Sequence, residues 1–124
     1  MFHNKVLGEY GEKFVAEHLE KQGYKILARN FKACDAEIDI IAQSPKDEDL
    51  IAFVEVKARE NLEFGRPSEA VTKPKQRKIK QAAMCYIRGK EDKIGRFDVA
   101  EVIGTINRSG LDVLDFNYIE EAFV

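Results

Sequence analysis

The sequence predicts an α/β domain in which a mixed central β-sheet is flanked by helices. Three observations predict it. Leu7, Tyr10, Phe14, Val15 and Leu19 recur at helical spacing ahead of Gly23. Two apolar runs, Glu37 to Gln43 and Leu50 to Arg59, have strand length and are broken by the turn-forming Ser44 to Asp49. A second helical stripe, Ile79, Ala82, Ala83, Tyr86 and Ile87, then separates these strands from further strand-like runs.

In chain order, residues 5 to 22 form an amphipathic helix that Gly23 ends. Tyr24 to Phe31 alternates as a first strand. Glu37 to Gln43 and Leu50 to Arg59 follow as antiparallel neighbours, because a short polar turn joins them. Asn61 to Ser68, with Gly65 and Pro67, reads as a loop, and Thr72 followed by Pro74 marks the start of a helix that runs to Gly89. Arg96 to Ile103 is a strand, Gly104 to Gly110 a loop and Leu111 to Tyr118 a last strand, whereas Ile119 to Val124 carry no clear pattern. The crossover through the second helix makes the sheet mixed.

At 124 residues the chain reads as a single domain, 1–124, with no room for a separate recognition domain. Function must therefore sit on the core fold. With no long apolar stretch and no signal-like start, the expectation is a soluble, cytoplasmic protein with no membrane association. Cys34 and Cys85 lack metal or disulfide-framework spacing and read as reduced bystanders. The net charge of −2 hides an asymmetry: Lys57 to Lys90 holds ten Lys/Arg against three acids, leaving −9 for the remainder. This middle stretch, with Arg59, Lys73, Lys75 and Lys78, is the part suited to a polyanion; taken alone, a basic helix is more often a solvated face.

The chemistry is concentrated in the two central runs. Both are apolar on both faces except at Asp39, Glu55 and Lys57. A strand covered on both sides carries unpaired charge only at a cost of several kcal/mol, on the order of magnitude usual for buried ions. Glu55 and Lys57, two apart, share a face, and the neighbouring strand can bring Asp39 beside them. Two carboxylates with one ammonium suit a hard cation such as Mg²⁺ (or Mn²⁺) beside an activating lysine. The bland alternative for Glu-x-Lys is a salt-bridged, solvated sheet face. His3 and His18 have no partner at catalytic spacing, and Asp98 reads as a structural partner of Arg96 or Arg59.

Taken together, Gly8-x-x-Gly11-Glu12-x-x-x-Ala16, Gly23-Tyr24, Arg29-Asn30-Phe31, Glu37-Ile38-Asp39-Ile40-Ile41, Phe53-Val54-Glu55-Val56-Lys57-Ala58-Arg59, Gly65 with Pro67, Ala70-Val71 with Lys75, and Arg96-Phe97-Asp98-Val99 resemble the YraN family. That family falls within the restriction-endonuclease-like, or P-D-(D/E)-x-K nuclease, superfamily. The resemblance runs from about residue 7 to about residue 103 and implies the α-β-β-β-α-β core of that fold. It implies Asp39 and Glu55 as metal ligands, the Val56 carbonyl as a third, and Lys57 as the group that steers the attacking water. Glu12 matches an acid that related junction-resolving nucleases add to the metal shell; otherwise it is a surface residue paired with Lys13 or Lys21. Lys75 and Gln76 match the place of a polar or basic helper. Two departures stand out. Ala36 replaces the Gly usual before Glu-Ile-Asp, so the turn there lacks positive-φ freedom, and Ile38 stands where the superfamily's name puts Pro-Asp.

The expected function is a Mg²⁺-dependent endonuclease hydrolysing phosphodiesters of DNA and selecting structure, branched or single-stranded, over sequence, because no aromatic stacking platform is evident. A homodimer would supply the two sites that cutting both strands requires. The rival is a non-catalytic nucleic-acid-binding or adaptor module retaining the nuclease fold.

Overall fold

The computed structural model describes residues 2–124. Helix α1 spans Phe2–Lys21 and buries Leu7, Val15, Ala16 and Leu19 along one side. It ends because Gly23 adopts φ 96, which lets the Tyr24 amide return to the Leu19 carbonyl at 2.9 Å and the Gly23 amide to Glu20 at 3.0 Å. Strand β1, Lys25–Ala33, turns into β2, Ala36–Gln43, through Cys34 and Asp35 alone, with Ala33 paired to Ala36. Both turn residues take positive φ, 53 and 60, as a two-residue hairpin with the twist of its strands requires. The missing glycine at Ala36 is thus immaterial: the left-handed positions fall one and two residues earlier.

Strand β3, Leu50–Arg59, is antiparallel to β2 and parallel to β4, Ile94–Asn107. Between β3 and β4 the chain makes a single 3-10 turn, Pro67–Ala70, and helix α2, Lys73–Ile87. Strand β5, Gly110–Phe123, closes a five-stranded mixed sheet of order β1-β2-β3-β4-β5, flanked by the two helices. The expected element order and the antiparallel β2–β3 pair are observed. The sequence reading does fail in the last hairpin, where residues 104–110 were expected to form a loop and only Arg108 and Ser109 separate the strands. Gly104 is there for close approach, since a Cβ would meet the Asp112 carbonyl oxygen at 2.6 Å, beside a register shift between Ile103 and Gly104. Residues 119–123, unplaced by pattern, continue β5.

Each sheet face carries one core. Val15, Ala16 and Leu19 of α1 pack with Ile40, Ala42, Val54, Val56, Ala100 and Val102. Ile79, Ala82 and Ala83 of α2 pack with Ile38, Ile41, Phe53 and Val99 on the other face. Central strands covered on both sides explain their unbroken apolar runs. Gly11 lets α1 approach β3, because a Cβ there would lie 3.0 Å from that of Ala58. Two buried acids tie β4 to its surroundings. Asp98, fully buried, receives Arg96 through Nε at 2.9 Å and Nη2 at 2.8 Å, the Tyr118 hydroxyl at 2.6 Å and the Glu121 amide at 3.0 Å. Its partner is therefore Arg96, and its role is structural.

A carboxylate pair beside a basic cleft

The β2–β3 ladder runs from Gln43 opposite Ile51 to Ile40 opposite Val54 and stops. One residue beyond, the Asp39 carboxylate takes the place of the ladder: its Oδ2 accepts the Val56 N–H at 2.8 Å. A backbone donor that would otherwise be orphaned is satisfied, and Asp39 is drawn toward β3. On β3, Phe53 faces the α2 core, so Glu55 and Lys57 project to that same side. There they line a cavity of about 270 Å³ together with Asp35 of the β1–β2 turn, Glu37 at the start of β2, and Lys75 and Lys78 from α2.

Glu55 is 9% exposed, and its buried Oε1 has no hydrogen-bond partner. Burial, and then the negative charge of Asp39, push the Glu55 carboxyl up to about 8; Lys57, the Asp39 amide and Lys75 pull the other way. Asp39 is raised to about 6, chiefly by burial, against the lowering bond from Val56, with Glu12 adding repulsion and Lys57 relieving it. Two buried acids that resist ionisation beside a partly compensating ammonium are a site short of positive charge. The unpartnered Oε1 gives a divalent cation a free oxygen donor, so the residues present fit such an ion. Among the described residues, no three His, Cys, Asp or Glu side chains converge as a metal-binding group. The Asp39 and Glu55 pair would then need backbone, water or substrate oxygens to complete a shell.

The other sequence-predicted residues divide. Glu12 on α1 acts on Asp39 through its charge, but its Oε1 is held by Asn30 Nδ2 at 2.9 Å, with Arg29 Nη2 at 3.8 Å, and neither Lys13 nor Lys21 is its partner. Val56 is fixed through its own amide on Asp39. Lys75 and Lys78 reach the cleft, whereas Lys73 and Gln76 line a separate hollow with Arg77, Lys80 and Phe123. Gln76 Nε2 donates to the Val71 carbonyl at 3.0 Å, a local bond at the start of α2. Arg59 donates to its neighbour's carbonyl, Ala58 O, at 2.8 Å and borders a groove of about 880 Å³ with Asn61, Phe64 and Arg66.

Sequence reasoning missed Asp35 and Glu37 as cleft residues. Glu37 was findable, being two residues before Asp39 on one strand. Glu101 was missed as well; it stands beside Lys57 in the β3–β4 register but is spent on structure. Burial alone would raise its carboxyl, yet Arg66 Nη2 at 2.6 Å, the Ser68 amide at 2.9 Å and Asn117 at 3.1 Å hold it down at about 2. Through Glu101 the 3-10 turn is anchored to the sheet. Phe64, 98% exposed, had no periodic signal. No helix among the described residues is long and apolar enough to cross a membrane.

The sequence model of Uncharacterised protein family UPF0102 matches residues 11–102, a span that includes the carboxylate pair, Lys57 and all of α2. The chain is 45% identical over 122 residues to a UPF0102 protein of Dictyoglomus thermophilum, covering 97% of this chain and 98% of that one. It is 45% identical over 119 residues to one of Caldicellulosiruptor saccharolyticus, covering 94% and 96%. A UPF0102 protein of Clostridium perfringens is 44% identical over 123 residues, covering 98% and 96%.

Proposed function

This chain belongs to Uncharacterised protein family UPF0102, and we propose that it is a Mg²⁺- or Mn²⁺-dependent endonuclease that hydrolyses phosphodiester bonds of DNA. The observation that carries the reading is the buried, unpartnered Glu55 Oε1 beside Asp39, with Lys57 on the same strand face. The motif resemblance to the YraN family of P-D-(D/E)-x-K nucleases supports it.

Asp39 and Glu55 would hold the cation, which when bound would polarise a phosphoryl oxygen and lower the pKa of a water. Asp39 is pre-positioned by the Val56 amide, so its free oxygen needs little reorganisation to serve as a ligand. Lys57 places positive charge where it accumulates on the phosphate and can orient the attacking water. Lys75 and Lys78, across the cleft, offer phosphate contacts without base readout, which favours recognition of DNA geometry over sequence. Glu12, held by Asn30, is positioned to tune Asp39 by charge and is not a ligand in this reading.

The test is incubation of purified protein with branched, flapped, nicked, single-stranded and linear duplex DNA in Mg²⁺, Mn²⁺ or EDTA. Cleavage should require a divalent ion, and Lys57→Ala should lower its rate by about 10² or more, as is typical for one electrostatic catalytic group. DNA binding in Ca²⁺ should survive the substitution. Wild-type protein that binds these DNAs and leaves all of them intact in both metals would instead establish a binding module.

A further inference from the structure

Cys34 and Cys85 are 51 positions apart, yet their sulfur atoms lie 3.1 Å from each other. The sequence reading of two unrelated thiols misses this contact because one residue is in the β1–β2 turn and the other on α2. Cys34 is exposed and sits at φ 53, a conformation that favours Gly, Asn or Asp, so turn chemistry alone does not select cysteine. Directly after it, Asp35, Ala36 and Glu37 wall the cleft whose opposite side is Lys75 and Lys78 of α2. The thiol contact therefore ties the turn that leads into one wall to the C-terminal end of the helix that carries the other, about two helical turns beyond Lys78.

We propose that Cys34 and Cys85 are a reversible modification site, oxidised by a low-molecular-weight disulfide to an intramolecular bond that staples the β1–β2 turn to α2. The exposed Cys34 thiolate attacks one sulfur of the oxidant, forming a mixed disulfide and expelling one thiolate. Cys85 then attacks the Cys34 sulfur, the new bond forms and the second thiolate leaves. The two cysteine protons pass to the departing thiolates, so two cysteines are oxidised while one disulfide is reduced to two thiols. From a 3.1 Å contact, the approach needed to reach the bonded separation is about 1 Å. The hydrogen bond with Cys85 holds the Cys34 thiol above its ordinary range, with Arg88 opposing, so the first step should quicken as pH rises.

The experiment treats the reduced full-length chain with oxidised glutathione and follows intact mass, peptide maps, melting and amide exchange. The expected product is a monomer lighter by two hydrogens, carrying no glutathione and restored by dithiothreitol. Closing so long a loop should raise the melting temperature by about 10 °C, and exchange at residues 33–37 should slow. Cys85→Ser should retain glutathione on Cys34, since nothing displaces it. Wild-type protein that keeps glutathione on Cys34, or that forms only intermolecular dimers, would overturn the site; a disulfide that leaves exchange at 33–37 unchanged would overturn the staple. No readout involves DNA, so the outcome is separate from that of the endonuclease assay.

Discussion

Replacing Glu55 by Gln should stabilise the metal-free protein at alkaline pH and do nothing of the kind at acid pH. The folded state raises the Glu55 carboxyl from 4.5 to about 8. A group raised by folding contributes stability that is fully present below its unfolded pKa and is lost as pH climbs through the folded one. Wild type should therefore lose stability between about pH 4.5 and pH 8, by about 4 to 5 kcal/mol at roughly 1.4 kcal/mol per unit. Glutamine cannot ionise, but its amide inherits the partnerless Oε1 position, at a cost of about 1 to 3 kcal/mol. The net gain at pH 8 should be about 1 to 4 kcal/mol, and at pH 5, where wild type keeps most of this stability, the variant should fall below wild type by up to about 2 kcal/mol. Urea unfolding in EDTA at pH 5, 6, 7 and 8 measures this directly. A wild-type-to-variant gap that stays constant with pH would show that Glu55 is not held against its charge, and the case for a cation site would go with it.

Other expectations follow from the same geometry. Asp39→Asn keeps an oxygen for the Val56 amide while removing the charge, so it should fold yet show no Mn²⁺ or Mg²⁺ heat by calorimetry. Charge reversal of Lys75 and Lys78 to Glu should weaken binding to all DNA sequences alike and flatten the logarithmic salt dependence by about 2, at ~0.9 per lost contact. Arg96→Ala strands the fully buried Asp98 and should cost about 3 to 5 kcal/mol in urea unfolding. Gly104→Ala should destabilise by about 1 to 3 kcal/mol, because the new methyl meets backbone of the neighbouring strand.

How much was legible depended on whether a feature was encoded locally. The helices and the β2–β3 pair were, because apolar periodicity and short turns act within a few residues. Asp39, Glu55 and Lys57 were legible as charges that contradict their apolar surroundings, and Asp98 found its predicted partner two residues away. Gly104 misled, since a glycine required by strand-to-strand approach looks in sequence like one required by a loop. The contact between Cys34 and Cys85, the Arg66 hold on Glu101 and the division of the α2 basic face between two hollows depend on docking elements distant in the chain. No window of sequence contains both halves of such a contact. Whether helix residues such as Gln76 turn to the cleft or away is decided by helix rotation, which a pattern of charges does not specify.

The bond from Asp39 to the Val56 amide gives the three charged residues unequal evolutionary fates. In a lineage released from the need for the proposed reaction, Glu55 would become a pure liability, and neutral or apolar replacements there would raise stability and spread freely. Lys57, with its partners gone, could be exchanged with little consequence. Asp39 would still have to satisfy the end of a strand ladder, and among side chains of its length only Asn performs that task without charge. Relatives that have abandoned the proposed chemistry should therefore carry Asp or Asn at this position while the glutamate one residue past the pairing limit has already gone.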